Sequence, residues 1–163
     1  MKLKKNNPIR IAIDSTAGSG STSLAIKLAS HYKLRYLDTG KVYRWCALQV
    51  IKKKPKNKIK FLRKRIKSLN LKDLKNKSLL NDTVALAAST IAKDKKIRKI
   101  VRNFQIKYAY NPPKKYRGSV LDGRDIGSVI CKDAMFKFYI TANIRTRALR
   151  RYKAVSYTHL RAH

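Results

Sequence analysis

Residues 9–25, Ile-Arg-Ile-Ala-Ile-Asp-Ser-Thr-Ala-Gly-Ser-Gly-Ser-Thr-Ser-Leu-Ala, decide the fold. The apolar run at residues 9–13 predicts a short buried strand, and residues 22–32 predict a helix. Small residues, including Gly18 and Gly20, lie between them. A phosphate-binding loop needs this context, because the loop turns its backbone N–H groups inward and the helix N-terminus adds a partial positive charge.

This loop departs from the usual pattern G-x-x-x-x-G-K-[ST] at two positions. Gly20 and Thr22 fit the pattern, whereas Ser15 replaces the first Gly and Ser21 replaces the Lys. That Lys normally reaches the β- and γ-phosphates, so its loss bears directly on activity. On this stretch alone, a small-residue turn in another α/β fold is as good an interpretation as a phosphate-binding loop.

The composition predicts one strongly basic domain. The chain has 163 residues, of which 44% are hydrophobic, and this is enough for a single domain with a core. Lys and Arg number 41 against eight acidic residues, which gives a formal net charge of +33. Such a charge attracts anions such as nucleic acid, acidic membranes or nucleotides. Its lysines are spread along the whole chain, however, so codon usage could explain them as well as a binding surface.

Targeting signals and metal-binding cysteine patterns are not found in the sequence. No apolar run is long enough to span a membrane, and residues 1–8 have no apolar core of a secretory signal. Cys46 and Cys131 follow no metal or redox spacing. We therefore expect two reduced core thiols in a cytoplasmic protein.

Strands and helices alternate along the chain. Further strands are predicted at residues 34–37, 119–121 and 136–140, and helices at residues 41–51, 81–92, 95–108 and after Asn143, which can cap the last one. The basic region 52–77 predicts one helix with an apolar stripe at Ile59, Leu62, Ile66 and Leu69, and a solvated face is favoured for its cations over a nucleic-acid site.

This alternation predicts an α/β fold with a parallel sheet and helices on both of its faces. Ligands of such sheets bind beyond the carboxyl ends of the strands. Asp14, Asp38, Asp122 and Asp125 follow predicted strand ends, so we expect them to serve one site.

Three motifs in this order resemble the bacterial cytidylate (CMP) kinase family. They are Ile-Ala-Ile-Asp with the loop and Leu-Ala at residues 11–25, Tyr-Leu-Asp-Thr-Gly-Lys-Val-Tyr-Arg at residues 36–44, and Asp-Gly-Arg-Asp-Ile-Gly-Ser at residues 122–128. Ala-Ala-Ser at residues 87–89 also matches, and the resemblance covers roughly residues 9–153.

The resemblance implies a P-loop nucleoside monophosphate (NMP) kinase fold of the α/β class, with a parallel sheet, flanking helices and an inserted, mostly helical NMP-binding region. One domain at residues 1–155 would have its core at 9–50 and 118–155, its insert at about 51–117, and an incomplete C-terminus. Residues 156–163 break the pattern and are expected to be a non-native tail.

The resemblance implies transfer of the γ-phosphoryl group of ATP to CMP or dCMP, with Mg²⁺, by a monomer. The implied ATP-binding residues are Ser15, Thr16, Ala17, Gly18, Ser19, Gly20, Ser21, Thr22 and Ser23, with Thr22 also at the metal position. The implied CMP-binding residues are Asp38, Thr39, Arg44, Ser89, Arg98, Asp122, Arg124 and Asp125. The implied catalytic residues are Asp14, Arg124, Arg147 and Arg151, and the arginines 147, 150 and 151 would begin a lid.

Alternatives stay open for single residues and for the function. Asp14 could only cap a loop, Asp38 could cap the following helix, and Arg98 could be a solvated charge. The missing Lys at Ser21 puts the rate of turnover in doubt, and one hypothesis is that the lid arginines compensate. The competing function is a kinase-like fold with weak or no catalysis that binds nucleic acid non-specifically through its charge.

Overall fold

In the computed structural model of this chain, the described residues are 8–159, without the side chains of Arg151 and residues 154–159. These residues form two compact units. The second unit is Asp38–Asn111, and the first contains the described residues on either side of it. The predicted boundaries of core and insert stay a prediction.

A four-stranded sheet organises the first unit. Its strands are β1 (Ile9–Ser15), β2 (Arg35–Asp38), β3 (Gly118–Gly123) and β4 (Phe136–Ile140), in the spatial order β2-β3-β1-β4. Strand β1 is parallel to both β3 and β4, and Ile13 lies opposite Asp122 on one side and Phe138 on the other. The predicted α/β class with a parallel sheet is thereby confirmed.

The core of the first unit lies between the sheet and helix α1 (Ser21–His31). Its buried residues are Ile11, Ile13, Ala25, Ala29, Leu34 and Val120. Strand β4 is far more exposed, since Phe136, Phe138 and Tyr139 retain 49%, 40% and 69% of their accessible surface. Burial of β1 fixes the position of the loop that follows it, and this loop is the one that the sequence singles out.

The second unit is helical after β2. It contains α2 (Thr39–Lys53), α3 (Lys58–Arg65), α4 (Asp82–Lys93) and α5 (Lys95–Tyr110), with α4 packed on both α2 and α5. The Asn81 and Asp94 side chains accept backbone N–H groups at the starts of α4 and α5. These caps stabilise the helix ends and explain why two helices form where the sequence predicts them.

The striped helix predicted in the basic region 52–77 is confirmed only in its first part, because α3 contains Ile59 and Leu62 but ends before Ile66 and Leu69. Helix α3 ends at Arg65, and short 3₁₀ segments follow at Ile66–Ser68, Leu71–Lys75 and Lys77–Leu80. The Asn70 and Asn76 side chains accept N–H groups of the segments that they precede. Asparagine bonds of this kind compete with the bonds of a continuous helix and restart the chain in a new direction.

The last helix, α6 (Ile144–His159), begins as predicted. Asn143 caps it by accepting the N–H of Thr146 at 2.8 Å. The helical backbone includes residues 156–159 of the predicted tail, and residues 160–163 lie outside the described part. Among the described residues, no helix is long and apolar enough to cross a bilayer.

Candidate active site

The loop between β1 and α1 depends on two glycines. Gly18 and Gly20 have φ values of +73° and +93°, in the left-handed region that other residues rarely adopt. A Cβ atom at Gly18 would also lie only 3.1 Å from the carbonyl oxygen of Arg147, on α6. The loop can therefore keep this shape only with glycine at these positions.

Several hydrogen-bond donors of the loop have no acceptor within the described residues. They are the N–H groups of Gly20, Ser21 and Thr22, at the start of α1 where no intrahelical carbonyl is available. The buried Ser19 Oγ and Arg147 Nε also lack a hydrogen-bond partner there. Ser19 and Ser21 are buried whereas Gly20 and Thr22 are exposed, and a group of unpaired donors at a helix N-terminus fits an anionic ligand.

The two serines that replace the Gly and Lys of the usual pattern bind each other. Ser21 Oγ donates a hydrogen bond to Ser15 Oγ at 2.8 Å, and both residues are buried. The Ser21 side chain is therefore directed into the protein and supplies no charge to the loop. In the usual pattern the position of Ser15 is a Gly without a side chain, and the position of Ser21 is a Lys with a positive charge. Here a hydrogen-bonded pair of hydroxyl groups takes their place.

Thr22 contacts an acidic residue that is 100 positions away in the sequence. Its Oγ1 donates to Asp122 Oδ2 at 2.8 Å, and Asp122 is only 5% exposed at the end of β3. A hydroxyl and a carboxylate in this arrangement are the oxygen donors with which many phosphate-loop enzymes hold Mg²⁺. Asp122 thus lies against the start of α1, and its predicted CMP contact stays a prediction.

Within the part of the chain that the structure describes, acidic, His and Cys side chains do not assemble into a metal cage. Among the described residues, no group of three or more His, Cys, Asp or Glu forms a possible cation site. Mg²⁺ in kinases does not require one, because it keeps several waters and is bound by one or two protein oxygens together with substrate phosphates. The pair of Thr22 and Asp122 fits that requirement.

Asp14 anchors the segment that follows β3. Its two carboxylate oxygens accept the N–H groups of Ile126 at 2.5 Å and Gly127 at 3.0 Å. These residues begin a π-helical turn, Ile126–Ile130, which the sequence did not predict. The arrangement matches the alternative in which Asp14 holds a loop, while its predicted catalytic role stays a prediction.

Two arginines donate to carbonyl groups of the loop. Arg124 Nη1 donates a hydrogen bond to the Ser15 carbonyl oxygen. Arg150 Nη1 donates hydrogen bonds to the carbonyl oxygens of Gly18 at 3.1 Å and Ser19 at 2.8 Å. The Arg151 side chain lies outside the described atoms. Arg124 and Arg150 therefore both contact the segment between β1 and α1, although the sequence assigned Arg150 no individual role.

Asp125 lies at the entry to the π-helical turn. Its carbonyl oxygen accepts the N–H groups of Val129 at 3.0 Å and Ile130 at 3.3 Å, so its backbone helps to close the turn. Its predicted CMP contact stays a prediction.

In the second unit, Asp38 caps α2. Its Oδ1 accepts the N–H of Lys41 at 3.0 Å, and the Lys41 ammonium lies 3.9 Å from Oδ2. Within this unit Asp38 therefore acts as the N-cap of the following helix, which is the alternative that the sequence left open. Thr39, the first residue of α2, is buried, and Arg44 donates from Nη1 to the Leu79 carbonyl oxygen at 2.8 Å.

Ser89 and Arg98 lie on exposed surfaces of α4 and α5. Arg98 Nη1 approaches the Ala92 carbonyl oxygen at 3.5 Å, which is long for a hydrogen bond. Both side chains are accessible to a ligand, which the predicted recognition of cytosine requires.

The basic helix α3 lines a cavity of about 560 Å³ with Asn57, Lys60, Phe61, Lys64, Arg65 and Ser68. Arg65 has internal partners, since its Nε donates to Gln49 Oε1 at 3.1 Å and its guanidinium lies 5.9 Å from the centre of the Trp45 ring. Part of this charge therefore serves packing of the second unit.

Both cysteines are buried free thiols. Burial raises the pKa of the Cys46 thiol to about 12, and burial together with the nearby Asp133 raises the pKa of the Cys131 thiol to about 11. The thiols are neutral at physiological pH, as expected for core cysteines.

One feature of the sequence indicated that Arg150 could contact the same part of the protein as its neighbouring arginines. At 100° per residue, positions 147, 150 and 151 share one face of a helix, whereas position 145 points to the opposite face. The partner of that face is a non-local fact and could not be read from spacing. The contact between Thr22 and Asp122 was hidden for the same reason.

The family model that matches this chain and three of its curated relatives carry the same description. A family model described as cytidylate kinase matches residues 11–162. The curated cytidylate kinase of Bartonella tribocorum is 43% identical over 153 residues, which cover 91% of this chain and 67% of the relative. That of Bartonella quintana is 45% identical with the same coverage, and that of Rhodospirillum rubrum is 39% identical over 86% of this chain and 67% of the relative.

Proposed function

The chain belongs to the cytidylate kinase family, and we propose that it transfers the γ-phosphoryl group of ATP to CMP or dCMP. This reaction gives ADP and CDP or dCDP. The chain spans about two thirds of the length of the curated relatives that it matches. The loop between β1 and α1, with its unpaired N–H groups on a helix N-terminus, carries the proposal for this chain itself.

The ATP phosphates are proposed to lie in this loop. The N–H groups of Gly20, Ser21 and Thr22 have no acceptor within the described residues and are available to phosphate oxygens. Ser19 Oγ and Arg147 Nε add two buried donors. Phosphoryl transfer is mostly positioning and neutralisation of charge, so donors that are held in place before ATP arrives support this chemistry directly.

Mg²⁺ is proposed to be held on the side of Thr22 and Asp122. When bound, it would neutralise charge on the phosphate oxygens. The Thr22 hydroxyl and the Asp122 carboxylate are 2.8 Å apart and can offer oxygen ligands from one edge of the sheet. Asp122 is buried against this hydroxyl, so its position is fixed before the nucleotide binds.

The acceptor nucleotide is proposed to be bound by residues of the second unit, Thr39, Arg44, Ser89 and Arg98. Guanidinium groups hold a phosphate in a bidentate manner and keep their charge at any physiological pH. The exposed Ser89 and Arg98 offer the acceptor and donors that cytosine requires. No general base is proposed, because little covalent chemistry falls to the protein in this reaction.

The comparisons give no support to the alternative of a nucleic-acid-binding protein without catalysis. The net charge of +33 is the one observation in its favour, and a charge alone gives non-specific association that falls steeply with salt.

The experiment that tests the proposal measures ATP-dependent conversion of CMP to CDP in the presence of Mg²⁺. UMP and AMP serve as control acceptors, and CMP binding is measured separately by calorimetry on the same sample. CDP formation that is selective for CMP supports the proposal. Binding of CMP without turnover would place the defect on the ATP side, where Ser21 replaces the Lys, and absence of both would refute the proposal.

A further inference from the structure

We propose that Arg150 is a positioning residue that clamps the phosphate-binding loop from its carbonyl side. The proposal deepens the proposed function, since it concerns the loop that would hold the ATP phosphates. It differs from direct phosphate binding, because Arg150 acts through the peptide groups of the loop.

The contacts of Arg150 are specific to the two central peptides of the loop. Its Nη1 donates to the carbonyl oxygens of Gly18 at 3.1 Å and Ser19 at 2.8 Å. A Cβ atom at Gly20 would lie 3.3 Å from the same nitrogen, so the guanidinium fits where glycine leaves space. One guanidinium nitrogen thus bridges two consecutive carbonyl groups.

Fixing these carbonyl groups also fixes the N–H groups on the opposite side. A trans peptide is planar, and its C=O and N–H point in opposite directions. The Ser19 carbonyl therefore sets the direction of the Gly20 N–H, which has no acceptor within the described residues. Because Gly18 and Gly20 have no Cβ atom to restrict their backbone angles, the orientation of these peptides needs an external constraint.

The charge of Arg150 replaces part of what the loop sequence lacks. Residues 15–23 contain no Lys or Arg, and the Ser21 side chain is turned inward to Ser15. A cation bonded to the carbonyl oxygens polarises the peptide groups and makes their N–H groups better donors. Arg150 thereby adds positive potential to the loop without entering the phosphate position.

Three variants test the clamp. Arg150→Gln removes the charge and the bridging donor, and Arg150→Lys keeps the charge with a less suitable geometry. Arg145→Gln is the matched control, because it removes the same charge from the opposite face of α6, where the Arg145 side chain is exposed and has no hydrogen bond or ion pair among the described residues.

Two measurements separate positioning from contact with the ligand. The first is hydrogen–deuterium exchange of the peptide covering residues 16–23 in the protein without nucleotide. The second is calorimetric binding of inorganic tripolyphosphate at fixed salt, with CMP as the second ligand. Compared with Arg145→Gln, Arg150→Gln is expected to exchange faster and to bind tripolyphosphate about tenfold more weakly, a difference of about 1.4 kcal/mol.

Arg150→Lys is expected to fall between the unmodified protein and Arg150→Gln, and CMP binding is expected to stay unchanged in all three variants. Equal exchange and equal affinity in Arg150→Gln and Arg145→Gln would overturn the proposal. Weaker tripolyphosphate binding without faster exchange would overturn it too, because Arg150 would then touch the phosphates directly. Faster exchange in a protein that does not bind tripolyphosphate would support the clamp and refute the proposed function of the loop.

Discussion

Replacement of Asp14 by Asn separates an anchoring role from a catalytic one. The Asp14 carboxylate accepts the N–H groups of Ile126 at 2.5 Å and Gly127 at 3.0 Å, one on each oxygen. Asn has nearly the same shape but offers only one acceptor oxygen. The NH₂ group of the Asn would face the other backbone N–H. Asp14→Asn therefore removes one hydrogen bond and places two hydrogen-bond donors against each other.

The expected loss of stability follows from these contacts. A hydrogen bond to a charged group contributes about 1.5–3 kcal/mol, and an N–H without acceptor costs about 1–3 kcal/mol when buried. Because Asp14 is half-buried, we expect a combined loss of about 2–3 kcal/mol for Asp14→Asn. In a chain of this length, such a loss lowers the Tm by roughly 4–12 °C.

The assay is calorimetric unfolding, with Asp133→Asn as the matched control. Asp133 makes an ion pair with Arg10 at 3.1 Å, but its side chain is 58% exposed, so its loss is expected to cost less than about 1 kcal/mol. A Tm of Asp14→Asn no lower than that of Asp133→Asn would refute the anchoring role. A lower kcat at an unchanged Tm would support the catalytic role instead.

Three further predictions concern the loop and the thiols. Thr22→Val is expected to lower the Mg²⁺-dependent kcat on the order of tenfold to hundredfold, whereas Thr22→Ser, which keeps the hydroxyl, is expected to retain most of it; an equal loss in both would contradict a role for that oxygen. Ser21→Lys is expected to raise turnover, and more so together with Ser15→Gly, because a single substitution leaves the buried Ser15 hydroxyl without its 2.8 Å partner; unchanged kcat in the double variant would show that the missing Lys does not limit the rate. Cys46 and Cys131 are expected to react with a thiol reagent at pH 8 only after unfolding. The free energy of unfolding should fall as the pH rises from about 9 through their folded pKa values of about 12 and 11, because the thiols of the unfolded chain lose their protons first. Replacing each Cys by Ser in turn should flatten this pH dependence and shows how much of it each thiol contributes.

The sequence was sufficient for the strands, most helices and the loop. The run at residues 9–13 and the glycines after it are local signals, and β1, α1 and the left-handed Gly18 and Gly20 agree with them. The cap of α6 at Asn143 was equally local. Such features could be predicted because the residues that determine them are neighbours in the chain.

Features that depend on distant partners could not be predicted. Asp122 belongs to a motif that resembles a CMP-binding one, yet its oxygen accepts the Thr22 hydroxyl across 100 residues. Asp14 was predicted to be catalytic, with the capping of a loop as the alternative, and its partners at Ile126 and Gly127 could not be read from the sequence. Spacing gives the face on which a side chain lies, but only the folded chain gives what is opposite that face.

The exposed edge of the sheet has a consequence for handling the protein. Strand β4 is an outer strand of the sheet that residues 8–159 form, and its Phe136, Phe138 and Tyr139 are substantially exposed. An open, apolar strand is a template on which further strands can assemble into aggregates. Mutual repulsion between chains of charge +33 opposes that assembly, and added salt screens the repulsion. Colloidal stability should therefore be greatest at low ionic strength, which is the reverse of the practice of adding salt to keep basic proteins in solution.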